Sequence, residues 1–184
     1  MRNLAIASAL AFLTSPLAAQ HFHRLPAAPQ TVAYGYYSAA VKPVLHVASG
    51  DTVEVETLIT STPPRLEAAG VPASEIERSL RDIVTQVTDK GPGGHILTGP
   101  IFVEGAQPGD VLEVRILGID LALPYGYNGC RGFLPSNCDS SQTTRIIRLD
   151  RSRMVGELFP GVEIPLRPFF GSMGVAPPPD SRAG

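Results

Sequence analysis

The chain has 184 residues, with 17 acidic against 15 basic side chains and a formal net charge of −2. With no lysine- or arginine-rich run, that balance argues against nucleic acid or an anionic membrane as partner. The length, less a leader, supports one sizeable core, and a hydrophobic share of 43% with 18 glycines and 18 prolines favours a folded body of short strands and turns over long helices.

The first residues read as a targeting segment. Met1-Arg2-Asn3 gives a short positive start, Leu4–Leu13 an apolar run, and Leu17-Ala18-Ala19-Gln20 a small-residue site for cleavage after Ala19. The run is too short to span a bilayer stably. Residues 1–19 are therefore expected to be a signal peptide, set against the alternative of an N-terminal core helix. The mature chain is expected in the periplasm or secreted, with no membrane attachment after cleavage.

His21 and His23 follow, one strand period apart, at the new N-terminus, where histidines are usually solvated. A strand is expected near Thr31–Tyr37, and His46 falls in another as a half-buried residue. Val53, Val55 and Thr57 alternate with Glu54 and Glu56, the pattern of a strand with one buried face. Asp51 enters this strand after Gly50, where aspartate usually bonds its own turn backbone.

One helix stands out over Ser74–Val87. Ser74 and Glu77 have capping-box spacing, and Ile76, Leu80, Ile83, Val84 and Val87 form an apolar stripe. It delivers the chain to GPGGHILTGPIFVE (Gly91–Glu104). There His95 sits among glycines at the mouth of a strand. By spacing alone it is first a partly exposed turn residue, and second a base, acid or metal ligand. A phosphate loop is disfavoured because no helix N-terminus follows.

PGDVLEVRI (Pro108–Ile116) repeats the Gly-Asp turn and alternating pattern of Ser49–Val55, so Leu112–Ile116 is expected to be a strand and Asp110 a turn residue. Cys130 and Cys138, the only cysteines, share a short loop-like stretch. In an oxidising compartment they are expected to pair; two free thiols or a nucleophile are the alternatives, and the spacing does not suggest zinc. Further strands are expected near Ile101–Glu104, Arg145–Leu149 and Val162–Leu166. The Phe-Phe-Gly run after Arg167 suggests core packing, and Ala176–Gly184 a loose proline-rich tail. The result is a mainly β domain over 20–175, a β-sandwich or barrel-like body with one amphipathic helix.

Five stretches carry a resemblance: Pro43–Thr57 (PVLHVASGDTVEVET), Gly91–Glu104, Pro108–Ile116, Pro124–Asn128 (PYGYN) and Arg167–Pro179 (RPFFGSMGVAPPP). In this order, from about His21 to Pro179, the chain resembles the acetamidase/formamidase family. That resemblance implies a hydrolase of small linear amides of the formamide and acetamide type, releasing ammonia and a carboxylate with metal assistance. Carried over by position, it implies His95 as catalytic group and metal ligand, Glu104 as a weaker catalytic candidate, and Thr98 and Gly99 as substrate-binding, with loop amides facing the substrate carbonyl. The implied cofactor is a divalent metal, zinc or calcium, and the implied partners are a small-molecule amide and, as an open case, a second copy in a homo-oligomer.

Members of the family continue into a second half with an HGGN-type and a GD-x-H segment, neither present here. The chain is thus expected to resemble an N-terminal half, inactive alone. Three metal ligands at a recognised spacing are not visible, and no G-x-S-x-G elbow is present. A secreted, non-catalytic β-sandwich binding or structural module is the competing expectation.

Overall fold

A computed structural model of the chain describes residues 20–129 and 144–183. The expected signal peptide and the Cys130–Cys138 bridge lie outside the described residues. Within them the chain is mainly β, with ten strands, two α-helices and no closed barrel. No helix among the described residues is long and apolar enough to cross a membrane.

The first six strands pair in a regular offset. β1 (Phe22–Leu25) runs parallel to β4 (Thr52–Val55), and β2 (Val32–Tyr34) antiparallel to β5 (Ile96–Thr98). β3 (Leu45–Val47) runs parallel to β6 (Ile101–Val103). Each strand thus finds its partner far along the chain. The last four strands instead form a local antiparallel meander: β7 (Tyr125–Gly129), β8 (Thr144–Asp150), β9 (Val155–Phe159) and β10 (Val162–Pro165), in the order β10-β9-β8-β7.

Between β4 and β5 lie the helices that supply the most deeply buried side chains of the core. α1 (Pro63–Ala68) opens on two prolines. Proline is tolerated in a first helical turn because the amide it lacks would have no helical acceptor there. α2 spans Arg78–Gln86. Leu66 from α1 and Leu80 and Ile83 from α2 are 0% exposed, and they pack with Ala27, Val71, Ile76, Ile96 and Tyr125. Each such side chain stabilises the fold by about 1.5–3 kcal/mol relative to exposure.

Several expectations need correction. The Ser74–Glu77 capping box does not form: Ala73–Glu75 is a single 3-10 turn, Ile76 is extended, and the helix starts only after Glu77, which makes no side-chain cap bond. Tertiary contacts account for this, since Ile76 is buried in the core and Glu75 is drawn into an ion pair with Arg148. The Phe-Phe-Gly run is not core either: Phe169, Phe170 and Met173 are exposed. Only Gly174 is closely packed, where a Cβ would stand 3.0 Å from the Tyr37 ring. The terminal segment, expected to be loose, is tied to the body. Ala183 and Tyr37 exchange backbone hydrogen bonds, and the Arg182 guanidinium lies over the Tyr36 ring and donates to Asp89 at 2.8 Å.

The largest correction concerns Leu112–Ile116, which is not a strand. Residues 110–122 run without turn or bend, and among the described residues no backbone hydrogen bond joins 111–120 to any other segment. Val111 and Leu117 are 94% and 77% exposed. The alternation is present, but a strand requires a neighbour, and none of the described residues provides one.

Candidate functional site

The Gly91–His95 loop is held against β2 by backbone packing. Gly35, at φ +80, would place a Cβ 2.3 Å from the Gly93 carbonyl oxygen, and Gly91 would place one 2.4 Å from the Gly35 oxygen. The glycines are therefore needed so that two backbones can touch. The amides of Gly91 and Gly93 donate to the carbonyls of Tyr34 and Gly35 at 2.8 and 3.1 Å, and the His95 carbonyl accepts from Gly35 at 2.7 Å. The Gly91 and Gly93 amides are therefore occupied within the fold.

Beside this loop a small pocket of about 190 Å³ opens between four segments. The Thr60-Ser61-Thr62 run leading into α1 forms its floor, with Arg65 from α1 on one side. Tyr34, Gly94 and Tyr127 close the others. The Tyr127 hydroxyl donates to the Thr60 carbonyl. The Arg65 guanidinium sits 5.7 Å from the Tyr127 ring centre and donates through Nε to Thr144 Oγ1 at 3.2 Å. His95 lies outside the lining with its ring exposed, and its Nδ1 is 3.2 Å from Thr60 Oγ1.

Ser61 is the unusual member. The residue is 7% exposed, and its Oγ is buried with no hydrogen-bond partner among the described residues. A buried hydroxyl without a partner costs about 1–3 kcal/mol, and Ser61 is among the residues that line the pocket. Hydroxyls both donate and accept, so the Thr60–Thr62 run matches a ligand that carries both an acceptor and a donor.

None of the residues expected at a site lines this pocket; His95 alone touches a lining residue, Thr60. Thr98 Oγ1 donates to the Glu56 carbonyl at 2.7 Å, and the buried Gly99 donates its amide to Thr31 at 2.9 Å. Both fasten β5 to its surroundings. Glu104 pairs with His46, whose Nδ1 lies 2.8 Å from Oε1, and both side chains are more than half exposed. The two leading histidines converge on Asp51, which accepts the His21 amide at 2.9 Å, the His23 ring nitrogen at 3.0 Å and the Ala48 amide at 2.9 Å. Those donors, the His21 amide foremost, hold the Asp51 carboxyl well below the usual range. This is the turn role expected of it.

Behind the pocket the electrostatics are set by burial. Burial, and then the nearby Glu56 carboxylate, push the Glu77 carboxyl up. Burial also raises the Tyr125 phenol, with Glu77 and Glu75 adding to the effect. Tyr125 is a core residue on β7, two positions before Tyr127.

Sequence reasoning missed Thr60, Ser61, Thr62 and Arg65 altogether. A run of three hydroxyl residues ahead of Pro63-Pro64 was the available signal, because a Pro-Pro pair can mark a first helical turn. Tyr127 lay inside the quoted PYGYN stretch without a role assigned to it.

Comparison with known proteins points the same way as these stretches. The model of the Acetamidase/Formamidase family matches residues 26–182. No curated protein matches the chain.

Proposed function

The chain belongs to the acetamidase/formamidase family, and from that premise we propose that it acts on small linear amides at the Thr60–Arg65 pocket, releasing ammonia and a carboxylate. The observation that carries this reading is the contact of His95 with Thr60 beside the unpartnered hydroxyl of Ser61.

A primary amide offers a carbonyl acceptor and an NH₂ donor, and the hydroxyls of the Thr60–Thr62 run are of the type that can meet both. Arg65 only donates, so it suits the carbonyl oxygen as negative charge develops there and the carboxylate that results. A space of about 190 Å³ walled by Tyr34 and Tyr127 favours short acyl groups over bulky ones. Water attacks the carbonyl carbon, the C–N bond breaks, and the water proton passes to the departing nitrogen. His95 is suited to carry that proton on Nε2. For Nε2 to accept it, the ring must hold its other proton on Nδ1, donated to Thr60 Oγ1.

The described residues do not fit a resident divalent metal. No three His, Cys, Asp or Glu side chains lie together among them in a way that could hold an ion, and Glu104 is paired with His46. No step here is routed through one.

The test is ammonia release from formamide and acetamide by the purified chain, and turnover there would overturn the expectation that a half resembling the family's N-terminal part is inactive alone. His95→Ala is expected to lower turnover by at least roughly 10²-fold, the lower range for losing an acid/base group, while leaving the circular dichroism unchanged because the ring is exposed. Near-normal turnover in that variant would make His95 structural.

A further inference from the structure

Residues 111–117 read Val-Leu-Glu-Val-Arg-Ile-Leu. Their backbone amides and carbonyls form no hydrogen bonds to other backbone among the described residues. Five of the seven side chains are large, apolar and exposed: Val111, Leu112, Val114, Ile116 and Leu117. Folded proteins usually blunt such an edge with lysine, proline or a bulge. This stretch contains neither lysine nor proline, and it runs without a bend. An exposed apolar patch of this kind marks a contact surface.

The order of the seven residues identifies the occupant. About Val114 the sequence is symmetric in character: apolar, apolar, glutamate, valine, arginine, apolar, apolar. In an antiparallel pair of identical strands centred on Val114, Glu113 stands opposite the partner's Arg115, and Arg115 opposite the partner's Glu113. Leu112 then faces the partner's Ile116, and Val111 the partner's Leu117. Every cross-strand pair is either apolar with apolar or opposite in charge, the two favourable classes. Neighbouring registers lose this. Centring on Glu113 sets carboxylate against carboxylate, and centring on Arg115 sets guanidinium against guanidinium. Centring between residues 113 and 114 sets a charge against a valine. Within one protomer Arg115 Nε already reaches Glu113 Oε1 at 2.7 Å, so the two charges share one face at a span that suits the exchange.

We propose that residues 111–117 form the pairing edge of a two-fold homodimer, an antiparallel strand pair with Val114 on the axis. A self-complementary patch of this kind is what a closed two-fold interface demands. The inference stands on this segment alone and goes beyond the amidase reading.

Sedimentation velocity over a concentration series tests association, and cysteine cross-linking tests the register. The chain should sediment as a dimer that dissociates on dilution. Val114→Cys should form a covalent dimer on a non-reducing gel, above the level of the unmodified chain, because position 114 meets itself. Leu112→Cys should not, because its counterpart is the partner's Ile116. Glu113→Arg should weaken association about tenfold or more, since it sets two arginine pairs across the axis, and adding Arg115→Glu should restore it. A monomer at every concentration overturns the proposal. So does a dimer that cross-links through position 112 as readily as through 114, or one indifferent to Glu113→Arg.

Discussion

Ser49–Val55 and Pro108–Val114 are two versions of one local instruction with different outcomes. Both turns place glycine at positive φ, +96° at Gly50 and +102° at Gly109. Both aspartates accept a backbone amide from three residues back: Ala48 to Asp51 at 2.9 Å and Gln107 to Asp110 at 2.8 Å. After the first turn the chain becomes β4, with β1 beside it and Thr52 and Glu56 donating to His21 and Leu25. After the second it continues unpaired and exposed. The turn is encoded locally; the strand is completed only by a neighbour, and that neighbour is supplied by distant sequence or by another molecule.

The sharpest way to break this comparison is proline at the matching positions Glu54 and Glu113. Thr52 bonds to His21, just ahead of β1, and Glu56 to Leu25 at its end, so the two-residue repeat of a parallel ladder turns the Glu54 amide toward the same strand. Glu54→Pro is expected to cost about 2 kcal/mol or more through a lost bond and an orphaned carbonyl. Glu113→Pro should cost a dilute, monomeric sample no more than about 0.5 kcal/mol while abolishing self-association. Urea unfolding of the two variants checks both. Equal losses would mean that residues 111–117 are paired within the chain after all.

The two aspartates give a smaller, pH-dependent contrast. Because the folded state holds the Asp51 carboxyl below its ordinary value, its contribution to stability is present above about pH 4, the unfolded carboxylate range, and is lost as pH falls through the folded value. Asp51→Asn should therefore be less stable at neutral pH and lose stability less steeply on acidification. At neutral pH Asp110→Asn should cost less than Asp51→Asn, since Asp110 accepts one backbone amide where Asp51 gathers donors from His21, His23 and Ala48. Denaturant midpoints between neutral and acidic pH measure the difference.

What the sequence disclosed follows the same division between local and distant information. The alternation around Val53, the strands β8 and β10 and the Leu80–Ile83 stripe are local patterns, and they appear within a few residues of where they were expected. The start of α2 was misplaced because Ile76 and Glu75 answer to the core and to Arg148 rather than to Ser74. α1 escaped notice because six residues opening on Pro-Pro are too short for a period to show. At the site, His95 was legible as an imidazole among glycines. Its setting was not, because Thr60, Ser61 and Tyr127 reach it from 35, 34 and 32 residues away along the chain. Glu104 lies nearer in sequence but was drawn to His46 by the parallel pairing of β3 and β6.

That last contrast gives the most direct measurement of the central claim. Under the proposed function, amide turnover takes place at Ser61 and His95, and Glu104 is a surface partner of His46. Steady-state ammonia release from acetamide should fall about tenfold in Ser61→Ala, the effect of losing one hydrogen bond at the substrate, and should be unchanged in Glu104→Gln. A Glu104→Gln variant that loses turnover while Ser61→Ala keeps it would contradict the pocket and move the site to the β3–β6 edge.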